Sequence, residues 1–355
     1  MQLTTDVFVV AVSTSTHAGM LGVELGKRIL KRDLPAPRAI DVPLPSRPQD
    51  VRQHRLMSRA AWMAALVMRD ALLTADWFGS REEIGAFFGV GASGADMDDV
   101  ARLLAASLDE QKRFSLAHCG RDGLDACNPL FAFQIMNNFT LCHGAILEGL
   151  AGPNAAFFSR GTGTVMALEE ACLAIAEGEC RRALVGGADM PTHPVTLAEL
   201  EREGFLRDGL VPIDGAAAIA LARETDKPLG RIESIWVCPV ERPRDALVPR
   251  AGALRDAAVL AAVDALAERP CDLLVLAPWG TPAREAMLDL PEALAVERSI
   301  DLTNLLGESL AATPALAWAA ALGMLVETGH TRALVLSAGP DGDLGAVVLT
   351  RAGAR

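Results

Sequence analysis

Side chains that could act as nucleophiles occur in two short stretches of this chain. Ser159 and Thr162 lie in FFSRGTGTV (157–165), and Cys142 precedes His143 in TLCHGAIL (140–147). A serine or cysteine nucleophile needs a base within reach, usually a histidine, to take its proton. No histidine adjoins Ser159 or Thr162 in sequence, and consecutive helical residues point about 100° apart, so Cys142 and His143 do not face each other. A thioesterase or acyltransferase that uses Ser159 or a relocated cysteine stays open as an alternative.

Residue spacing gives no indication of a metal or nucleotide site. The acidic stretch GADMDDV (94–100) indicates the first turn of a helix, and the glycine clusters at 91–94 and 161–163 lack a dinucleotide or P-loop pattern. We therefore expect no metal and no cofactor. The cysteines have the odd number and irregular spacing typical of free thiols in a reducing cytoplasm. They are Cys119, Cys127, Cys142, Cys172, Cys180, Cys238 and Cys271.

Charge and composition narrow the class of partner. The chain has 355 residues, 51% of them hydrophobic, and a formal net charge of −12. Such acidity argues against nucleic acid and against broad attraction to an acidic carrier protein, although a local basic patch could still dock one. No uninterrupted apolar run approaches the length of about eighteen residues that a membrane span needs, and the first residues predict a strand, not a signal peptide. We expect a cytoplasmic protein with no membrane partner.

Short apolar runs alternate with stretches of helical period, which is the pattern of a layered α/β fold. The predicted strands are 7–13, 84–93, 155–159, 183–188, 217–223, 230–240, 272–278, 332–339 and 345–351. The predicted helices are 55–74, 95–108, 130–149, 163–178, 251–268, 282–289 and 309–327.

Both halves of the chain end in a helix, a strand, a glycine-rich turn and a second strand, which indicates a duplicated β-α-β-α-β-α-β-β unit. The polar stretch 224–230 marks the boundary between an N-terminal half (1–226) and a C-terminal half (227–355). The N-terminal half includes a proline-rich segment at 33–55, which we predict to be a surface arm.

The segment 152–190 resembles the nucleophile region of the β-ketoacyl synthases of the thiolase superfamily. It reads GPNAAFFSRGTGTVMALEEACLAIAEGECRRALVGGADM. In that family, GPN or GPS leads along a strand to a turn with the acyl-accepting cysteine, and a helix and a strand ending in GGA follow. Seven residues beyond Asn154, the cysteine position is Gly161, so the resemblance implies a vacated nucleophile elbow at 152–163. It also implies the thiolase fold, with two duplicated halves in a five-layer αβαβα arrangement.

Three further positions depart from the active pattern of that family. LAPWGTPAREAM (276–287) matches its NAHGTxTP motif with Trp279 at the first histidine, and an indole N–H cannot accept a proton. DLTNLLGESLAATPALAW (301–318) matches its second histidine motif with Glu308 at the histidine and Asn304 near the lysine. SAGPDGDLGA (337–346) stands where the family has a Gly-Phe-Gly-Gly oxyanion turn. The resemblance thus implies that the chain has no catalytic residue and no independent catalysis.

Catalytically silent members of the family are the chain-length factors, which form heterodimers with an active ketosynthase and shape its acyl tunnel. The resemblance implies tunnel or gatekeeping side chains at Phe133, Gln134, Met136 and Phe139. It also implies a dimer interface along Ala155, Ala156, Phe157, Phe158 and Ser159. We expect an acyl carrier protein to dock mainly on the partner. The resemblance implies polyketide, polyene or fatty-acid-like chain elongation, with an aryl polyene or type II polyketide system as the narrower expectation. A homodimeric acyl-binding scaffold is the other alternative.

Overall fold

The computed structural model describes residues 2–37, 40, 42–92, 94–244, 248–267 and 269–353. The strands are β1 (Gln2–Thr16), β2 (Gly19–Met20), β3 (Ile84–Val90), β4 (Asn154–Phe158), β5 (Arg182–Asp189), β6 (Gly215–Ala222), β7 (Gly230–Pro239), β8 (Leu273–Ala277), β9 (Arg298–Asp301), β10 (Arg332–Ala338) and β11 (Asp343–Arg351).

The α-helices are α1 (Glu24–Lys31), α2 (Pro48–His54), α3 (Arg59–Thr74), α4 (Met97–Ala106), α5 (Leu116–His118), α6 (Leu124–Ala126), α7 (Phe131–Ile135), α8 (Phe139–Glu148), α9 (Gly163–Glu177), α10 (Pro194–Glu203), α11 (Ala251–Leu266), α12 (Gly280–Ala286), α13 (Leu290–Ala293), α14 (Leu302–Leu306) and α15 (Thr313–Thr328). Short 3₁₀ turns occupy Arg81–Glu83 and Leu310–Ala312, and a π-helical turn occupies Cys119–Gly123.

The strand order repeats itself about β1 and β7, which pair with each other. Outward from β1 come β6, β5, β3 and β4; outward from β7 come β11, β10, β8 and β9. In both series the first two pairings are antiparallel and the next two are parallel. The same five-strand unit therefore occurs twice, as the predicted duplication requires. The division into domains at residue 226 falls in the connection between β6 and β7 and stays a prediction.

Helices lie between and outside the two strand series. α9 and α15 contact strands of both series and form the central layer, while α3 and α8 cover one outer face and α11 and α12 the other. This is the predicted five-layer α/β arrangement of the thiolase fold, and the prediction of that fold is confirmed.

The central helix α15 is apolar around its whole circumference, as expected of a helix enclosed on all sides. The stretch Leu310–Thr328 is long and apolar enough to cross a membrane, but 89% of its apolar window of 18 residues is buried inside the fold. Its alanines and Gly323 allow close packing: a Cβ on Gly323 would lie 2.0 Å from the carbonyl oxygen of Val23, just before α1. The apolar length of α15 therefore reflects its place in the core.

The structure differs from the sequence prediction in several elements. The helix predicted at 130–149 is two helices, because Met136 takes an extended conformation (ψ 119°) between α7 and α8. The short strand β9 and helix α1 were not predicted. The arm predicted at 33–55 contains α2, and its residues 38, 39 and 41 lie outside the described residues, as do position 93 of the strand predicted at 84–93 and position 268 of the helix predicted at 251–268.

Candidate functional site

The turn between β4 and α9, residues 159–162, is here called the elbow turn. Gly161 has a φ of +116°, in the region that favours glycine. A Cβ built on Gly161 would lie 2.5 Å from the Cα of Gly339 and 3.1 Å from its nitrogen. Real Cβ atoms do not approach backbone so closely, so any side chain at position 161 would meet both strain and a collision. The position predicted for the nucleophile has no room for one.

The segment that faces the elbow turn is residues 339–343, called the facing turn, which links β10 to β11. Its packing against the elbow turn is mutual, since a Cβ on Gly339 would lie 2.0 Å from the carbonyl oxygen of Arg160. The Asp343 carboxylate accepts hydrogen bonds from the hydroxyls of Thr162 (3.1 Å) and Ser159 (3.4 Å). The predicted departure from the family's oxyanion turn thus coincides with a turn that is pressed onto the elbow.

Arg160 anchors the elbow turn through two carboxylates. Its backbone N–H donates to Asp341 Oδ2 (2.8 Å), and its guanidinium donates to Asp341 Oδ1 (2.7 and 2.9 Å) and Glu203 Oε2 (2.6 Å). Burial alone would lower the pKa of Arg160, but these carboxylate hydrogen bonds raise it above its usual value. Arg160 therefore carries its positive charge in a half-buried ion-pair network that closes the elbow.

Trp279 fills the interior beside this network. It lies two residues after the end of β8 and is 1% exposed. The centroids of the Trp279 and Phe205 rings lie 5.4 Å apart, in an edge-to-face arrangement. The guanidinium of Arg160 lies 5.3 Å from the centroid of the Phe205 ring. The buried Nε1 of Trp279 makes no hydrogen bond within the described residues. An apolar and cationic stack therefore connects the predicted first-histidine position to the elbow turn.

Glu308 is a buried acid, 3% exposed, just after α14. Its Oε1 accepts a hydrogen bond from the Thr313 hydroxyl at 2.7 Å, and its Oε2 has no partner within the described residues. Burial, with a smaller contribution from the charge of Asp189, raises the pKa of Glu308 to about 8. The carboxyl at the predicted second-histidine position is therefore protonated at neutral pH and is a poor base there.

Asp189 is a second buried acid, at the end of β5. Its carboxylate accepts from the backbone N–H of Met190 (2.7 Å) and of Ala311 (3.2 Å). Burial, and to a lesser degree the charge of Asp214, raise the pKa of Asp189 to about 7. A Cβ on Gly91 would overlap the Asp189 carboxyl group, so the glycine at 91 makes room for it.

One loop, residues 204–214, joins the separate parts of the site. It supplies Phe205 to Trp279, and its Val211 carbonyl accepts from the Glu308 N–H at 2.7 Å. Sequence analysis did not identify Arg160, Phe205, Asp189 or the two aspartates of the facing turn as site residues. The one sequence signal for them was the position of Asp189 directly after GGA.

The predicted lysine position does not join this site. Asn304 lies on the exposed side of α14 and lines a surface groove formed with α1 and β9. Its backbone N–H donates to Asp301, which caps α14. Asn304 is therefore separated from the buried Glu308, four residues further on.

Two of the predicted gatekeeping residues, Phe133 and Phe139, form an aromatic group with His143. Phe133 meets Phe139 edge to face at 4.9 Å, and Phe139 lies 5.2 Å from the ring of His143. Met136, at the break between α7 and α8, is 49% exposed, and Gln134 is half-buried. The structure thus gathers these residues on a partly open surface, and their role as a tunnel wall stays a prediction.

The predicted interface strand β4 lies at one end of the described strand order, beyond β3. Ala155 and Phe157 turn inward and pack against the core, while Phe158 is 62% exposed. Successive strand residues point to opposite faces, so only one face of β4 carries exposed side chains. Ala156 and Asn154 share that face with Phe158.

The alternative nucleophiles lack an activating arrangement in the described residues. The Ser159 hydroxyl donates to Asp343, and no described histidine contacts it. Burial raises the pKa of the Cys142 thiol, which makes the reactive thiolate scarcer. Within the described part of the chain, no group of three or more His, Cys, Asp or Glu residues is arranged to hold a metal.

Sequence comparison gives one family match and several partial relatives. A family model described as the β-ketoacyl synthase N-terminal domain matches residues 47–226. The non-reducing polyketide synthase azaA of Aspergillus niger is 29% identical over an alignment of 152 residues that covers 37% of this chain. The non-reducing polyketide synthase pigA of Monascus ruber is 27% identical over an alignment of 173 residues that covers 42% of this chain. Each match spans only 6% of the relative's own length.

Solved structures resemble the chain over almost its full length. The ishigamide ketosynthase/chain length factor superposes with a TM-score of 0.72 at 19% identity, covering 98% of this chain and 100% of the other. A type II polyketide synthase acyl-carrier protein–ketosynthase complex, AntDE:AntF, gives a TM-score of 0.73 at 13% identity with the same coverage. A β-ketoacyl synthase from Burkholderia phymatum STM815 gives 0.73 at 15% identity, covering 98% and 99%. At these identities the resemblance establishes the fold alone.

Proposed function

Since this chain belongs to the β-ketoacyl synthase family, we propose that it is a catalytically silent subunit that pairs with an active ketosynthase. In that pair it shapes the tunnel in which the acyl chain grows. The observation that carries the proposal is the elbow turn, where Gly161 has neither a nucleophile nor space for one. Acyl transfer by this family's route needs a thiolate at that point.

The rest of the site supports the loss of chemistry. Trp279 cannot accept a proton, and Glu308 holds its own proton at neutral pH because of burial. The ion pairs of Arg160 hold the facing turn against the elbow turn. These groups stabilise a closed interior, and none of them is arranged to activate a substrate.

The open edge of β4 supports the proposal of a partner. An unpaired strand edge with exposed apolar residues is a liability that proteins cover. Phe158 projects from this strand, and the preceding segment carries further exposed apolar side chains. Between residues 108 and 146 they are Leu108, Phe114, Leu116, Leu124, Leu130, Phe133, Ile135, Met136 and Ile146. A ketosynthase subunit that pairs β4 with its own equivalent strand would cover this surface.

The partner subunit would supply the catalytic cysteine and histidines, and it would dock the acyl carrier protein. Phe133, Gln134, Met136 and Phe139 would then contribute to the tunnel wall near the interface. The relatives azaA and pigA are polyketide synthases, which favours a polyketide-type chain; an aryl polyene is the narrower proposal. The seven described cysteines are all free, which is consistent with action in the cytoplasm.

The native mass of the full chain tests the pairing, measured alone and after co-expression with a ketosynthase encoded beside it. The expected result is a stable 1:1 complex, and Phe158→Ser weakens it at least about tenfold because the edge loses its apolar anchor. A homodimer that ignores the ketosynthase would contradict the proposal and favour the acyl-binding scaffold.

Single-turnover acylation tests the silence of the subunit. The full chain is incubated with a reactive acyl thioester, and intact mass is recorded for the natural chain and for Ser159→Ala. No stable acyl adduct is expected on either. An adduct that disappears in Ser159→Ala would replace the proposal with a relocated-nucleophile acyltransferase or thioesterase.

A further inference from the structure

A surface groove of about 580 Å³ lies between the end of α1 and the β9–α14 edge of the fold. Its volume falls within the range of about 300–1,000 Å³ typical of small-molecule sites. Among the described residues, eight line it: Ile29, Leu30, Arg32, Leu34, Arg298, Ile300, Asn304 and Leu305. None of them belongs to the elbow turn, the Trp279 stack or the buried acids, so the groove is a separate feature.

The lining combines an apolar wall with two cations. Five of the eight residues are aliphatic, and no acidic residue is among them. Arg32 and Arg298 are exposed, and neither guanidinium makes a hydrogen bond or an ion pair within the described residues. In a chain with a net charge of −12, two unpaired guanidinium groups beside an apolar wall form a locally positive, amphipathic surface.

We propose that this groove binds a small amphipathic anion, namely a free acyl chain that ends in a carboxylate. The aliphatic wall would bury the chain, and the guanidiniums would bind the carboxylate, for which their planar pairs of N–H donors are well suited. Asn304 adds an amide that can donate to the same head group. A peptide strand fits less well, because β9 offers a ladder of only four residues, Arg298–Asp301.

The groove is connected to the buried acid Glu308 through α14. Asn304 and Leu305 lie on α14, which ends at Leu306, two residues before Glu308. An occupant of the groove therefore contacts the helix that leads into the buried acid. The proposal does not depend on a ketosynthase partner, since all eight lining residues belong to this chain.

Calorimetric titration of the full chain with sodium dodecanoate, below its micelle concentration, tests the proposal. One dodecanoate is expected to bind per chain, at least about tenfold more tightly than 1-dodecanol, which lacks the charge, and butanoate, which lacks the chain. Equal affinity for dodecanol would overturn the carboxylate assignment, and equal affinity for butanoate would overturn the assignment of the apolar wall. Absence of dodecanoate binding would overturn the proposal as a whole.

Two variants locate the site. The double substitution Arg32→Gln with Arg298→Gln is expected to weaken dodecanoate binding at least about tenfold, and Leu305→Trp is expected to do the same by filling the groove. Arg52→Gln, an exposed arginine on α2, is the matched control and should leave the affinity unchanged. Dodecanoate binding that survives both groove variants would place the ligand elsewhere and refute the assignment. Circular dichroism of each variant confirms that it is folded.

Discussion

The elbow turn and the β4 edge are joined directly in sequence but differ completely in how they are packed. At Gly161, backbone meets backbone and ion pairs close the surface from outside. Three residues earlier, Phe158 projects from an open strand edge. The contrast shows that the chain packs most closely at the elbow turn, the predicted nucleophile position, while the neighbouring strand edge stays exposed. Substitutions in the elbow turn should therefore cost stability, whereas substitutions on the exposed face of β4 should cost only association.

The largest effect is expected for Gly161→Cys, which places a cysteine at the predicted nucleophile position of the elbow turn. The new side chain meets a positive φ and the backbone of Gly339, so the free energy of unfolding should fall by about 2–5 kcal/mol. No acyl adduct should form. Urea denaturation gives the free energy, and intact mass after exposure to an acyl thioester gives the adduct.

Gly178→Cys is the control for this substitution. Gly178 also has a positive φ (+81°), but a Cβ there meets no atom within 4 Å. Gly178→Cys should lower the free energy of unfolding only by the cost of backbone strain, about 1–2 kcal/mol. If the two variants lose the same free energy, packing against Gly339 is not what closes the elbow.

Arg160→Ala should have the next largest effect. It removes the partner of Asp341 and Glu203 and leaves their carboxylates half-buried without a cation, which should cost about 2–4 kcal/mol. Arg121→Ala, which breaks a surface pair with Asp122, should leave the unfolding free energy unchanged. A loss of stability no larger than that of Arg121→Ala would show that the ion pairs do not secure the elbow turn.

The effect of Glu308→Gln on the free energy of unfolding should depend on pH, because the buried acid is replaced by an amide that does not ionise. The folded pKa of Glu308, about 8, lies above the unfolded value of about 4.3, so the unfolded chain releases this proton first as the pH rises. The free energy of unfolding of the natural chain therefore falls progressively as the pH rises between these two pKa values. Relative to it, Glu308→Gln should gain at least about 1 kcal/mol of stability between pH 5 and pH 8.

Urea unfolding at several pH values measures that difference, with the exposed Glu110→Gln as the control. The gap between Glu308→Gln and the natural chain should widen with pH, and the gap for Glu110→Gln should stay constant. A gap that stays constant or narrows as the pH rises would mean that Glu308 is already ionised in the folded chain.

The smallest effect on stability is expected at the open edge. Phe158→Ser should change the free energy of unfolding of the isolated chain by less than about 0.5 kcal/mol. Phe157→Ser, one residue earlier and facing the core, should cost about 1–3 kcal/mol. Similar losses for the two variants would remove the contrast between the faces of β4.

The sequence was sufficient for the architecture because the fold depends on patterns that are local in the chain. Apolar runs of strand length and an alanine-rich helix predicted most of the elements, and their repetition predicted the two strand series. The break at Met136 was missed because neither a proline nor a glycine marks it. The strand β9 was missed because its four residues carry no apolar alternation, and it forms only through parallel pairing with β8.

The site was predictable only at single positions. Spacing from Asn154 singled out Gly161, but the group that fills its space, Gly339, lies far away in sequence. The motif position identified Trp279. Its contact with Phe205 depends on the loop 204–214, for which the sequence analysis predicted no role. The high pKa of Glu308 comes from burial and from Asp189, neither of which a linear pattern contains.

The long first strand, β1, holds the two five-strand units together. β1 pairs with β6 through Phe8–Ser15 and with β7 through Gln2–Val9, so one continuous stretch of backbone is hydrogen-bonded into both five-strand units. Pulling the two units apart would mean tearing that stretch from one of them. Proteolytic cleavage of the exposed connection 223–229 would therefore leave the two fragments hydrogen-bonded to each other through β1 and β7. We expect the cleaved chain to unfold in a single cooperative transition.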